Sequence, residues 1–488
     1  MDRKVGDYQI DNFHDECGVF GIIGTPDASA HTALGLHALQ HRGQEAAGIV
    51  SWDNQKFHMH RGLGHVDKNF GGSSSKVLAK LKGHSAIGHN RYSTTGETNL
   101  ENVQPLFANL DTGGLAICHN GNLTNALELR QSLIKEGCTF QSTTDTETII
   151  HLISQSTKPS FPESLVEAIG KIKGGFSLVC LAQETDWPYR GTSLIGIRDP
   201  LGIRPLVLGK LGDAHILASE TCAFDIIGAE FVRDINPGEM IVLSPNRIQS
   251  VSLIQRLNPS TYYFLEKESR FCIFEYIYFA RPDSVVQGRS VYNVRKAIGS
   301  ELANENPVDA DIVVPVPDSG VPAAIGYAET SNIPFELGII RNHYVGRTFI
   351  EPVDQVRHLG VKLKHNANKS LIQNKRIILI DDSIVRGTTS KKIVEMIRNA
   401  GAKEVHMRVA SPPNTNSCFY GVDTPEREKL IAARLSVSEM EKEIGVDSLA
   451  FVSIDGLYRA MGEESRDSNK PKFCDACLTG QYPVKLFL

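Results

Sequence analysis

The chain has 488 residues, 41% of them apolar and 22% charged, with a formal net charge of −5 at neutral pH. That length exceeds one ordinary core and predicts at least two domains, the composition is that of a soluble globular protein, and the slight acidic balance excludes a nucleic-acid-binding surface built on basic excess. No run approaches the roughly 18 consecutive apolar residues of a membrane helix, the acid-rich first sixteen residues lack the apolar core of a secretory signal, and nine thinly spread cysteines without disulfide-framework spacing point to a reducing compartment, the cytoplasm.

From the N-terminus, the first half alternates short apolar runs with Gly and Asn: "CGVFGII", "SAIGHNRYS", "GLAICHNGN", "GGFSLVCLA" and "TSLIGIRDP". This pattern predicts strands and turns with a few helices between them. One helix is expected over "LTNALELRQSLIKEG" (123–137), closed by Gly137. Another opens in "TTDTETIIHLI" (143–153), where Thr144 and Glu147 have capping-box spacing. The turn "INPGEM" and the stretch "LSPNRIQSVSLIQRLNPS" end this half, with a boundary near residue 258. Beyond it, "ADIVVPVPDSG" and "KRIILIDDSIVRGTTSKKIVEMIRNAGAKEVHMRVA" read as strand, loop, helix, strand, with apolar strands suited to burial on both faces. That predicts an α/β domain on a parallel sheet.

Within this half, "IILIDDSIVRGTTSKK" (377–392) runs from an apolar strand into paired acids, then a Gly/Thr/Ser loop, then a helix. Free N–H groups at a helix start suit a phosphate. Two carboxylates at the carboxyl end of a parallel strand suit sugar hydroxyls or Mg²⁺. The run resembles the fingerprint of the type I phosphoribosyltransferases, which bind phosphoribosyl pyrophosphate (PRPP). The resemblance implies that Asp381 and Asp382 contact ribose and Mg²⁺. It also implies that Ser383 and the loop from Ile384 through Arg386, Gly387, Thr388 and Thr389 to Ser390 hold the 5′-phosphate side. "PVPDSG" (315–320) resembles the pyrophosphate-side loop, with Ser319 near the metal. The stretch 341–365 carries eight basic or His residues and is expected to be a lid over PRPP, with Tyr344 and Arg347 among its contacts.

A lone cysteine such as Cys17, read by itself, is a small hydrophobe. The motifs "LQHRGQEAAGI" (39–49), "GHNRYSTTG" (88–96), "HNGNLTN" (119–125) and "STTDTE" (142–147) change that reading. Together they resemble the glutaminase domain of the N-terminal-nucleophile amidotransferases, an αββα sandwich. With the PRPP fingerprint, the chain from about residue 17 to residue 484 resembles the glutamine phosphoribosylpyrophosphate amidotransferases. Such enzymes release ammonia from glutamine and use it to make 5-phosphoribosylamine from PRPP, the committed step of purine synthesis. A carboxamide is a poor electrophile, so hydrolysis through a thioester eases it. The base is the α-amine of an N-terminal cysteine, whose pKa of about 7.7–8.0 lies near that of a thiol. That amine exists only once the bond between Glu16 and Cys17 is cut, so residues 1–16 are expected to be a propeptide, followed by domains at 17–258 and 259–488. By resemblance, the Asn120 side chain and Gly121 N–H form the oxyanion hole. Arg91 suits the glutamine carboxylate and Asp145 its ammonium, with Arg42 and Thr94 as further candidates.

Cys474 and Cys477 form "CDAC", which fits zinc, iron–sulfur or redox chemistry. One subclass of the resembled family carries a [4Fe–4S] cluster and a propeptide together, and Cys272 and Cys418 match its other two ligands. Four thiolates alone suit Zn²⁺ as well; the resemblance points to the cluster, one per subunit, beside one Mg²⁺. Cys118, Cys138, Cys180 and Cys222 are expected to be structural. In the resembled family the lid usually begins with Lys and has Arg two positions on, where this chain has Arg341 and His343. The family also implies feedback inhibition by purine nucleotides and a homotetramer, with neither nucleic acid nor membrane as partner. Competing readings are a different glutamine amidotransferase, which would lack "IDDSIVRGTTS", or a non-catalytic PRPP-binding regulator.

Overall fold

The computed structural model describes residues 17–72, 75–92, 99–184, 191–245, 247–257, 269–342 and 365–486. The first half contains thirteen described strands: β1 Gly18–Ile23, β2 Ala46–Trp52, β3 Phe57–Leu63, β4 Ser85–Arg91, β5 Leu106–Leu110, β6 Gly113–Leu123, β7 Gly174–Glu184, β8 Gly191–Arg198, β9 Val207–Leu211, β10 Ala214–Ala218, β11 Glu230–Asp234, β12 Glu239–Ser244 and β13 Arg247–Ser252. They form two antiparallel sheets, ordered β11-β9-β10-β1-β4-β2-β3 and β13-β12-β8-β7-β6-β5.

The sheets face one another. Val19, Ile23, Val50 and Ile87 of the first pack against Ala116, Cys118, Val179, Leu181 and Leu194 of the second. All six β1 residues are buried, because its other face is covered too: Phe20 and Ile22 pack with Leu36 of the helix Ala28–Ala38. Helices Ala126–Lys135, Asp145–Ser154 and Phe161–Ile169 cover the outer face of the second sheet through Leu133, Ile149, Ile153 and Leu165. The order helix, sheet, sheet, helix is the expected sandwich. Each fully buried aliphatic side chain of this kind contributes about 1.5–3 kcal/mol.

The helix expected before Gly137 runs Ala126–Lys135, and Gly137 takes φ +95° beyond its end. The second expected helix starts at Asp145 after N-cap Thr144, but no side chain caps it. Glu147 instead turns outward from the helix start and accepts from the N–H groups of Gln141 and Ser142. The capping box read from spacing is therefore replaced by a carboxylate that holds the incoming loop.

In the second half, strands Ile312–Pro315, Arg376–Asp381, Glu404–Val409 and Ser448–Phe451 lie side by side in that order, all parallel. Alternate residues of Arg376–Asp381 feed two cores: Ile377 and Leu379 join Ile393 and Met407 on one face, Ile378 and Ile380 join the large core of the other. This is why the strand reads as a continuous apolar run. The expected boundary near 258 falls where residues 258–268 lie outside the described set. Among the described residues no helix is long and apolar enough to cross a membrane.

Candidate active sites

The end of β1 lies between β10 and β4. Gly18 pairs with Asn90, which brings Cys17, one residue earlier, beside Arg91 at the end of β4. Cys17 is 7% exposed, and its Sγ donates to the Tyr92 carbonyl at 3.4 Å. Burial pushes its thiol up from the ordinary value, against the pull of the Arg91 charge. Asp145, at the start of its helix, is buried as well. Burial alone would raise its carboxyl, but the His119 ring at 3.3 Å, the Leu123 N–H at 3.0 Å and nearby Arg91 hold it below the usual range.

Asn120 sits on β6 with no exposed surface, and neither its amide nitrogen nor its amide oxygen has a partner among the described residues. Leaving such a group buried and unsatisfied costs about 1–3 kcal/mol, so this amide is arranged for something that arrives. Gly121 beside it has φ +140°, and a Cβ there would lie 2.1 Å from the Gly175 carbonyl oxygen. Only glycine fits that backbone.

Sequence reading missed two histidines behind this strand. His89 is fully buried, and burial pushes it down to about 3, so it is neutral and its Nε2–H donates to the His119 carbonyl at 3.0 Å. The His119 N–H in turn donates to Gln104 Oε1 at 2.7 Å. Both fix the peptide preceding Asn120. "GHN" and "CHN" held the residues, but nothing local shows that they stack across sheets.

Arg42 departs from expectation. Instead of reaching toward a substrate, its guanidinium is buried beneath the nucleophile's backbone: Nε donates to the Cys17 carbonyl at 3.3 Å, NH1 to Glu220 at 2.5 Å, and NH1 and NH2 to Glu275 at 3.0 and 2.7 Å. Arg204 joins Glu275 at 3.0 Å, and all four side chains have no exposed surface. Thr94 lies outside the described residues.

The second cluster stands at the carboxyl end of Arg376–Asp381. Asp382 accepts from the hydroxyls of Ser319 and Ser383 and is pushed up by burial. Asp381 is equally buried. The loop 383–387 ends at Gly387, φ +83°, where a Cβ would meet Ile431 at 2.7 Å. Helix Thr388–Asn399 begins there with no side-chain cap, so its first N–H groups face the loop. Arg386 and Thr389 belong to this loop and helix start, and Ser390 is buried in the first turn. Arg341 pairs with Asp318 of the "PVPDSG" loop. Strands Ile339–Arg341 and His365–Ala367 pair at the base of the expected lid. Tyr344, Arg347 and the lid itself (343–364) lie outside the described residues.

The four cysteines singled out by motif converge. Cys272 and Cys474 are register partners in a parallel pair, and each of Cys272, Cys418, Cys474 and Cys477 lies within electrostatic reach of the others in the group. All are pushed up by burial, Cys272 to about 12. The Tyr420 N–H points at Cys418 Sγ, 3.3 Å away. Among the described residues, however, no three Cys, His, Asp or Glu side chains close in as a single-ion chelate. Cys118, Cys180 and Cys222 are buried in the sandwich and Cys138 is half-buried at its edge.

Comparison with known proteins finds matches to both halves of the chain. Residues 89–225 match a glutamine amidotransferase domain model and residues 287–417 a phosphoribosyl transferase domain model. The chain is 56% identical over 477 residues to the amidophosphoribosyltransferase of Rhizobium etli, covering 98% of this chain and 93% of that one. It is 45% identical over 480 residues to that of Bacillus subtilis, covering 98% and 96%. A solved structure of the B. subtilis glutamine PRPP amidotransferase, complexed with ADP and GMP, superposes with TM-score 0.87 at 44% identity, covering 96% of this chain and 98% of that one. With both domains matched and identity sustained along nearly the whole length, this chain belongs to the amidophosphoribosyltransferase family.

Proposed function

We propose that the chain hydrolyses glutamine at Cys17 and passes the ammonia to C1 of PRPP, giving glutamate, pyrophosphate and 5-phosphoribosylamine. The observation that carries this reading is the buried Asn120 amide, without a partner among the described residues, two positions along β6 from Cys118, which lies within electrostatic reach of Cys17 as Arg91 and Asp145 do. Once the Glu16–Cys17 bond is cut, the freed α-amine takes the thiol proton. Sγ then attacks the glutamine carboxamide carbon. The Asn120 amide and the Gly121 N–H take up the charge developing on its oxygen, preorganised donors in a dry site. Arg91 pairs with the substrate carboxylate, and Asp145, held ionised, with its ammonium. The amine returns its proton to the departing ammonia, and water releases glutamate from the thioester. Residues 1–16 are accordingly read as a propeptide.

In the second half, Asp381 and Asp382 hold the ribose hydroxyls. The N–H groups and hydroxyls of residues 383–390 hold the 5′-phosphate, with Tyr344 and Arg347 closing from the lid. The donor set fits Mg²⁺: hard carboxylate and hydroxyl oxygens from Asp381, Asp382 and Ser319 meet at one strand end. When bound, Mg²⁺ supplies charge neutralisation on the leaving pyrophosphate.

The four buried thiols lie within electrostatic reach of one another, a donor set that suits a [4Fe–4S] cluster or Zn²⁺; the family resemblance favours the cluster. We read the cluster as a structural tie and the enzyme as one of the propeptide-bearing, cluster-bearing kind. The resemblance further supports purine-nucleotide inhibition, a cytoplasmic location and a homotetramer.

The test is a comparison of nitrogen sources. Cys17→Ala is expected to abolish glutamine-dependent 5-phosphoribosylamine formation while leaving formation from ammonium chloride and Mg²⁺–PRPP intact. Retained glutamine use by this variant overturns the reading.

A further inference from the structure

The buried charge network beneath Cys17 crosses from one half of the molecule to the other. Arg42 and Glu220 belong to the sandwich, and Glu275 lies in the segment Glu275–Phe279 that opens the second half. Glu220 has other duties: it accepts from His41 at 2.7 Å, from the Arg281 N–H at 2.9 Å and from the Ser284 hydroxyl at 2.7 Å. Glu275 makes the two-oxygen, two-nitrogen pairing with the Arg42 fork, the geometry that fixes the plane of a guanidinium. With that plane fixed, Nε points at the Cys17 carbonyl.

After cleavage Cys17 has no preceding peptide, so its backbone is located only from the carbonyl side. A nucleophile whose sulfur must meet the substrate carbon while its own amine reaches the leaving nitrogen loses rate steeply with small displacement. We propose that Glu275 is a positioning residue for glutamine hydrolysis, acting through Arg42 on Cys17. The hydrolytic site is thus completed by a carboxylate from the phosphoribosyl half. This rests on the reading of Cys17 as nucleophile.

The experiment uses the full-length, processed enzyme with Glu275→Gln and Glu275→Asp. The amide keeps the shape but loses the charge of the fork; the shorter acid keeps the charge. Glu275→Gln is expected to lower kcat for glutamine about tenfold or more, with KM for glutamine within about twofold. Turnover with ammonium chloride and PRPP should match the parent, and Glu275→Asp should recover part of the loss. Unchanged glutamine kcat in Glu275→Gln overturns the proposal. Where Glu275→Gln does not fold, Arg204→Lys loosens the same carboxylate without neutralising it. The same split between nitrogen sources in that variant supports the proposal, and equal loss of both activities makes the network an element of the fold alone and overturns it. Failure of the underlying reading shows separately, as glutamine hydrolysis by Cys17→Ala.

Discussion

Asn120 and Asp145, both proposed for the hydrolytic site, differ in how the chain prepares them. The Asn120 amide is buried and has no partner among the described residues, which is unfavourable for stability and favourable for a charge that appears only during the proposed reaction. Asn120→Ala should therefore lower glutamine-dependent kcat by about 10²–10³, leave ammonia-dependent turnover intact, and cost little in thermal stability. Steady-state kinetics with each nitrogen source checks it. Asp145 is already satisfied by His119 and the Leu123 N–H, which hold its carboxyl low. A depressed acid contributes its interaction above its unfolded value and loses it only as pH falls through the lower folded one. KM for glutamine should thus stay flat from about pH 8 down to about pH 5, and Asp145→Asn should raise it at every pH in that window. Arg91 and Asp145 were singled out because each complements a charge that glutamine carries, and the fold brings both within electrostatic reach of Cys17. The placement of Arg42 was not legible, because its partners are 178 and 233 residues away, and a sequence shows no such distance closing.

Among the elements, the strand-loop-helix at 376–399 was legible almost residue by residue: an apolar run, two acids, Gly387 where a left-handed turn is needed, then a helix. Local chemistry specifies each step, so nothing distant can overrule it. The helix at 145 shows the opposite case, where spacing alone suggested a capping box and the loop before it claimed Glu147 instead. The segment 418–421 was read only for its cysteine, yet it lies directly against β6 at Gly121 and Asn122. Asn122 Nδ2 donates to the Phe419 carbonyl at 3.0 Å, and Gly421, φ +111°, would place a Cβ 2.7 Å from the Gly121 Cα. Gly421→Ala should cost roughly 1–3 kcal/mol through strain and contact, lowering the calorimetric midpoint. It should also reduce use of glutamine more than use of ammonia, because the displaced backbone is that of Gly121.

For the molecule as a whole, two fold classes on one chain were legible from the change in apolar pattern, since antiparallel and parallel strands bury different numbers of faces. How the halves are fastened was not. Glu275 reaches Arg42, Gly421 meets Gly121, and Asn122 Nδ2 donates to the Phe419 carbonyl at 3.0 Å. These three second-half residues each lie within three positions of one of the four converging cysteines, Cys272 or Cys418. Cys474→Ser is therefore expected to reduce iron content and to lower the thermal midpoint of both halves together, read by iron assay and calorimetry. A drop confined to the second half would show the fastenings to be independent of the thiols. The terminal stretch also touches the sandwich itself, where Thr124 Oγ1 donates to the Lys485 carbonyl, and Phe473–Cys474 lies along Phe271–Cys272. On the ribosome, then, both sheets of the first half are translated long before the segment that carries Phe473–Cys474 and Lys485, so the contacts these make with Phe271–Cys272 and Thr124 are added to strands that have already emerged.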